Sequence, residues 1–330
     1  MKHVNVYGTL GPACREPDTL KQMISEGLDG MRLNLSHAAL EDASDLIDAY
    51  RTAAKACGKT PRLLIDMQGP ELRIGDLKEP VCLNAGETVS IDTVPFPDAV
   101  LSVLSDCPSG QEILLDDGKL LLKTGESGRL LVTRGGILES RKSVALLGHS
   151  FDTPAMTETD RKHIRLAADY GVTAVMQPFV RSKEDLIEVR GALDCAGGRE
   201  IRLLAKIEST EGVQALSELI PYCDEIVIAR GDLGNAVPLW ELPAVQKRIA
   251  ADCRSAGRDF TVVTQMLDSM IQRPIPTRAE VCDIFNAVLD GAASVMLTGE
   301  TATGAYPVAA IRYLVRTVRA AEAYLESSIN

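Results

Sequence analysis

Along the chain, short runs of apolar and β-branched residues alternate with longer stretches whose apolar positions recur every three to four residues. The runs are "VNVYGTLG" (4–11), "GMRLNLS" (30–36), "RLLIDMQ" (62–68), "VTAVMQPF" (172–179), "IRLLAKIE" (201–208), "EIVIARGD" (225–232), "FTVVTQM" (260–266) and "SVMLTGE" (294–300). They are apolar almost throughout rather than alternating, as expected of strands covered on both faces in a parallel sheet. The intervening stretches, such as "EPDTLKQMISEG", "SKEDLIEVRGALDCAG" and "LPAVQKRIAADCRSAG", carry helical periodicity and close on glycine. Eight buried strands alternating with helices predict an α/β fold, a (β/α)8 TIM barrel.

The rhythm breaks between the third and fourth runs. From residue 71 to residue 152 the helical period vanishes, and short alternating pieces such as "ETVSIDTV", "QEILLDDGKLLLKT" and "GRLLVTRGG" are separated by turn residues. The pattern predicts a small all-β lid domain over 71–152, inserted after strand 3 of a barrel built from 1–70 and 153–330. Without the insertion the 330-residue chain shortens to roughly the 250 residues typical of such a barrel.

Barrels of this kind carry their chemistry at the C-terminal ends of the strands, and polar residues collect there. Arg32, Asn34 and Ser36 follow the second apolar core and Asp66 the third. Lys206 and Glu208 close the fifth, Arg230 and Asp232 the sixth, Thr264 and Gln265 the seventh, and Thr298 and Glu300 the eighth. Lys206 and Glu208 are two residues apart, so in a strand they face the same side. Burying either without a partner is costly. Adjacent strands lie about 4.8 Å apart, which lets Glu208 and Asp232 share one ion. Two carboxylates with no histidine or thiolate beside them suit a hard cation, Mg2+ or Mn2+. Lys206 beside it would stabilise an enolate or a phosphoryl oxygen; the competing reading is a buried Lys–Glu ion pair. In "ARGDLG" (229–234) a strand passes through Gly231 into a helical turn, whose backbone N–H groups can receive a substrate carboxylate.

Composition narrows the classes. With 45% apolar and 25% charged residues the chain is a soluble globular protein. A net charge of −11 and 4% aromatics argue against nucleic-acid binding. No apolar run reaches membrane-spanning length and the N-terminus has no signal core. The eight scattered cysteines form no C-x-x-C pair. They are expected as reduced, mostly buried thiols of a cytoplasmic protein.

The segments "GTLGPAC", "GMRLNLSHA", "IDMQGPELRIG", "LLDDG", "AKIESTEGV", "IVIARGDLG", "VVTQMLDSMIQRPIPTRAE" and "NAVLDGAASVMLTGETATGAYP" follow the order and spacing of pyruvate kinase. The chain resembles that family from about Asn5 to Tyr313. The resemblance implies transfer of the phosphoryl group of phosphoenolpyruvate to ADP in glycolysis, giving pyruvate and ATP. It implies Glu208 and Asp232 as divalent-metal ligands and Lys206 as the cation on the phosphoryl group and enolate. Ala229, Gly231 and Asp232 would hold the substrate carboxylate, Thr264 would serve enolate protonation, and Arg32 would face the transferred phosphate. Asn34, Ser36, Asp66 and the carbonyl of Met67 match K+ ligands, and Glu71 goes with K+ dependence. Arg73 and Lys142 on the lid, with His37 nearby, match nucleotide contacts. "PTRAE" borders a subunit contact in the family, which points to a homodimer. Three departures stand out: no C-terminal effector domain is expected after the last helix, Pro178 replaces a usual serine, and Thr298 replaces another. A catalytically weak regulatory or binding homologue, and a metal-dependent aldolase acting on a pyruvate enolate, are the alternative readings.

Overall fold

Parallel pairing takes up the eight apolar runs. The computed structural model describes residues 3–116, 118–149, 151 and 153–328; Asp117 of "LLDDG" and Asp152, the expected end of the insertion, lie outside them. In chain order the strands are β1 (Asn5–Thr9), β2 (Gly30–Asn34), β3 (Leu63–Asp66), β4 (Val81–Leu83), β5 (Thr88–Ser90), β6 (Glu112–Leu115), β7 (Leu120–Thr124) and β8 (Arg129–Arg134). There follow β9 (Gly136–Leu138), β10 (Val144–Leu146), β11 (Val172–Gln177), β12 (Arg202–Ile207), β13 (Glu225–Ala229), β14 (Asp259–Val263) and β15 (Ser294–Met296). β1 to β3 and β11 to β15 close into a parallel barrel, with β1 hydrogen-bonded to both β2 and β15.

The strands are buried on both faces, as their composition requires. Tyr7, Leu64, Met176, Leu204, Val227 and Met296 belong to the cluster inside the barrel. Their sequence neighbours, including Val6, Leu63, Val175, Leu203, Ile226 and Val295, pack beneath the surrounding helices. Each such side chain contributes about 1.5–3 kcal/mol when fully buried. At the N-terminal end of the barrel the buried Glu225 carboxylate is held by Arg202 at 2.8 Å, Ser294 Oγ at 2.9 Å and Thr261 Oγ1. That cluster joins β12, β13, β14 and β15 at this end.

The intervening segment has its own core. β10, β6, β7, β8 and β5 form an antiparallel sheet, and β4 pairs with β9. Ile113, Leu115, Leu122, Leu130, Val132 and Val144 lie in a cluster separate from the barrel's. The expectation of an all-β insertion is corrected here, because Asp98–Asp106 is an α-helix. Its buried residues, Val100 and Leu104, are four apart and fall on one face; so brief a helix leaves little periodic signal. The cysteine expectation is corrected as well. All eight are free, but only Cys14, Cys223 and Cys253 are buried, while Cys82, Cys195 and Cys282 are exposed. Burial pushes the thiols of Cys14 and Cys223 up to about 11 and that of Cys253 to about 12.

Closure of β1 onto β2 depends on a missing side chain. A Cβ on Gly30 would fall 2.4 Å from Tyr7 Cε1 and 2.9 Å from the Arg62 carbonyl oxygen. Gly30→Ala is expected to lower stability by about 1–3 kcal/mol, as overpacking does, measured by denaturant unfolding; unchanged stability would mean that the seam has room to spare.

Candidate active site

The C-terminal ends of β2, β3 and β12 assemble a row of charges. Asp66, the last residue of β3, stands opposite Asn34 of β2 and is 2% exposed. Arg32 reaches it with Nε at 2.8 Å and Nη2 at 2.6 Å, while its Nη1 donates to Thr9 Oγ1 at 3.2 Å. Lys206 places Nζ 3.2 Å from each Asp66 oxygen and 2.9 Å from Glu208 Oε1. The second Glu208 oxygen accepts the Phe179 N–H at 2.8 Å. Burial alone would push the Asp66 carboxyl up, but Lys206 and Arg32 outweigh it and hold the group below the usual carboxylate range. Burial also works against the Lys206 ammonium, yet Asp66 and Glu208 raise it above the ordinary lysine value. Lys206 is therefore charged at neutral pH.

The next two strand ends differ from expectation. β13 stops at Ala229, and the helix Arg230–Ala236 starts at once. Gly231 and Asp232 thus lie on a first helical turn, not on a strand; an acidic residue there suits the positive end of the helix. Glu208 likewise follows β12, and Thr264 follows β14. Thr264 and Gln265 have left-handed backbones, with φ of 75° and 55°, each of which costs about 1–3 kcal/mol. Arg230 supports that turn: Nε and Nη2 donate to the Thr264 carbonyl at 3.2 and 2.7 Å, and Nη1 pairs with Asp283 at 2.6 Å. Gly231 leaves space beside it, since a Cβ there would lie 3.2 Å from Thr264 Cγ2.

Glu208 and Asp232 line one cleft with Glu71, Leu72, Ser143 and Val144 from the lid side. Asn34, Ser36, Asp66 and Met67 meet at the adjoining ends of β2 and β3, with Asn34 Oδ1 accepting the Ser36 N–H at 3.2 Å. The Asp66 carboxylate is engaged by Arg32 and Lys206, so it differs from the other three in having two cationic partners already. Met67 is buried, and His37 is exposed in the turn that follows β2. Arg73 and Lys142 do not line the cleft. Arg73 pairs with Glu71 and donates to the Arg141 carbonyl at 2.9 Å, and Lys142 pairs with Asp116 at 3.2 Å and Glu139 at 3.1 Å. Glu300 is used internally, accepting the Leu267 N–H at 3.0 Å and the Thr298 N–H at 2.8 Å. The Pro178 departure has a packing role: a Cβ on Gly69 would lie 2.4 Å from its Cγ.

Comparison with known proteins gives the family. A family model described as "Pyruvate kinase, barrel domain" matches residues 1–311. The chain belongs to the pyruvate kinase family. It is 37% identical over 319 residues to a pyruvate kinase of Aeropyrum pernix, covering 95% of this chain and 69% of that protein. To a pyruvate kinase of Geobacillus stearothermophilus it is 36% identical, covering 98% of this chain and 58% of the relative. To one of Mycobacterium intracellulare it is 39% identical, covering 95% and 69%. The chain thus spans about three-fifths to two-thirds of the relatives it matches.

Three roles in this region went unread in the sequence: Arg230 as a support for Thr264, and Asp160 and Arg181 as contacts to the ends of the inserted segment. Asp160 completes a capping box with Thr157, a pattern that signals a helix start and conceals any second use.

The charge row sets a stability test. Asp66→Asn leaves Arg32 without its anion and Lys206 with one partner of two, an expected loss of about 3–5 kcal/mol at neutral pH. Asp66 titrates below its unfolded value of about 3.9, so its contribution is full above that pH and is lost as pH falls through the lower folded value. The gap between parent and variant should narrow below about pH 4 in urea unfolding; a gap of constant size would assign the loss to packing.

Proposed function

We propose that the chain transfers the phosphoryl group of phosphoenolpyruvate to ADP and then protonates enolpyruvate. The observation that carries this reading is Lys206, largely enclosed and charged, standing between Asp66 and Glu208, the latter on the wall of a cleft shared with the lid. Phosphoryl transfer asks the protein for positioning and clustered cations more than for covalent chemistry. Lys206 and Arg32 supply two cations already oriented by Asp66, so little reorganisation accompanies charge development. Thr264, held by Arg230, offers a hydroxyl for proton delivery, and the first turn at Ala229–Asp232 offers N–H groups to the substrate carboxylate. In the lid, nucleotide phosphates would draw Arg73 and Lys142 from their present carboxylate partners.

The donor set fits a divalent metal. Glu208 and Asp232 are oxygen ligands facing one cleft, and among the described residues no group of three or more His, Cys, Asp or Glu side chains gathers as a metal cage. Two carboxylates, with water and substrate oxygens completing the shell, match the usual binding of Mg2+. When bound, the metal would add positive charge beside the phosphoryl and enolate oxygens. Asn34, Ser36 and Met67, with Asp66, are the proposed K+ ligands. Free cysteines, three of them exposed, suit the reducing cytoplasm. A homodimer joined near Thr277–Glu280 belongs to the same reading; Ile275 beside it is 60% exposed.

A coupled assay with phosphoenolpyruvate, ADP, Mg2+ and K+ tests the activity directly. Glu208→Gln should lower kcat by about 10²-fold or more, the scale of losing one electrostatic element; undiminished turnover in that variant would remove Glu208 from the site. In the same assay K+ should raise activity strongly over tetramethylammonium. Equal rates in the two salts would count against the monovalent site.

A further inference from the structure

Two chain crossings join the lid to the barrel, and a barrel side chain grips the backbone of each. At the first crossing, just beyond β3, Asp160 Oδ1 accepts the Gln68 N–H at 2.9 Å and Oδ2 the Gly69 N–H at 3.1 Å. Asp160 is completely buried on the helix Glu158–Ala167. Its Oδ2 also accepts from Thr157, at 2.9 Å from the N–H and 2.7 Å from the hydroxyl. At the second crossing Arg181 donates from Nη1 to the Phe151 carbonyl at 2.7 Å and from Nη2 to the Thr153 carbonyl at 2.6 Å. Asp185 holds the guanidinium in turn, with Oδ1 3.3 Å from Nη2 and Oδ2 3.4 Å from Nε.

Both grips are charge-assisted and reach main-chain atoms, and Arg181 Nη1 also donates to Thr153 Oγ1 at 3.2 Å. The loop after β11 connects them to the chemistry. Within four residues it seats Pro178 against the bare Cα of Gly69, whose φ is +66°. It aims the Phe179 N–H at Glu208, and it ends in Arg181 on the second crossing. A displacement of either crossing therefore bears on the same loop that orients a carboxylate of the cleft.

We infer that Asp160 and Arg181 are positioning residues that pin the two crossings of the lid, and that the loop Pro178–Arg181 ties the lid's orientation to Glu208. The pins fix where the chain leaves and re-enters the barrel, beside the cleft that Glu208 and Asp232 line. The kinetic consequence rests on the proposed phosphoryl transfer; the pinning itself does not.

The experiment uses the exposed Cys82 on the lid and Cys195 on the barrel as spin-label sites, with the other accessible cysteines changed to serine. Pulsed dipolar spectroscopy of the full chain should give one narrow distance distribution. Asp160→Asn, whose amide nitrogen cannot accept an N–H, and Arg181→Gln should each broaden it. Thr157→Ala disturbs the same helix cap but keeps the bonds to Gln68 and Gly69, so its distribution should stay narrow. In kinetics the two pin variants should raise KM for ADP about tenfold, the scale of losing one charge-assisted hydrogen bond. Metal-dependent exchange of pyruvate methyl protons, which would draw on Glu208 through the loop but not on ADP, should fall by less than transfer to ADP does. Unchanged distributions in Arg181→Gln would overturn the inference even if Asp160→Asn does not fold. Equal loss of transfer and exchange would overturn the tie to lid orientation. A parent chain with no phosphoryl transfer would refute the proposed reaction, while the distances would still decide the pinning.

Discussion

One buried carboxylate organises the working end of the barrel. Asp66 sits almost out of reach of solvent between Arg32 and Lys206, and the row continues to Glu208. Removing charges from water is expensive, and their mutual attraction offsets that cost only when every lone pair and proton finds a partner. Here the partners are drawn from β2, β3 and β12, with β11 between the last two, so the row forms only when all four strands are in register. An apolar core could hold these strands together as well. It could not present two fixed cations to an incoming anion.

The same requirement accounts for the neighbouring backbone. Thr264 adopts a conformation that few non-glycine residues tolerate. It stays there because Arg230 is bound both to its carbonyl and to Asp283. Strain at one strand end is thus supported by an ion pair from the next, an arrangement expected where a side chain must be aimed rather than merely packed.

Much of this was legible in the residues. Eight apolar runs announced eight parallel strands because burial on both faces leaves no polar alternation to confuse them. Spacing set Lys206 and Glu208 side by side, but it favoured a metal beside the lysine over the ion pair of 2.9 Å that they form. The end of β13 was not legible, because "EIVIARGD" contains no residue that forbids a further strand position; Arg230 and Asp232 turned out to be helical. The helix Asp98–Asp106 was hidden among strand-like neighbours, with only Val100 and Leu104 marking its inner face. The grips of Asp160 and Arg181 on backbone atoms were invisible for a deeper reason. A side chain that binds main chain leaves no complementary residue type at the other position.

The placement of the lid also bears on how the chain reaches its fold. β3 and β11 are neighbours in the barrel, with Asp66 opposite Met176, yet the whole lid lies between them in sequence. Joining them closes a loop that costs more entropy than any other strand pair sequential in the chain, although the cost grows only logarithmically with length. Contacts so distant in sequence form slowly. The inserted segment, with its own core, fills that gap in sequence with an ordered unit rather than a bare linker. By the same logarithm, lengthening or trimming the lid at its outer turns changes the closure cost by little, so evolution could vary the cover without rebuilding the barrel beneath it.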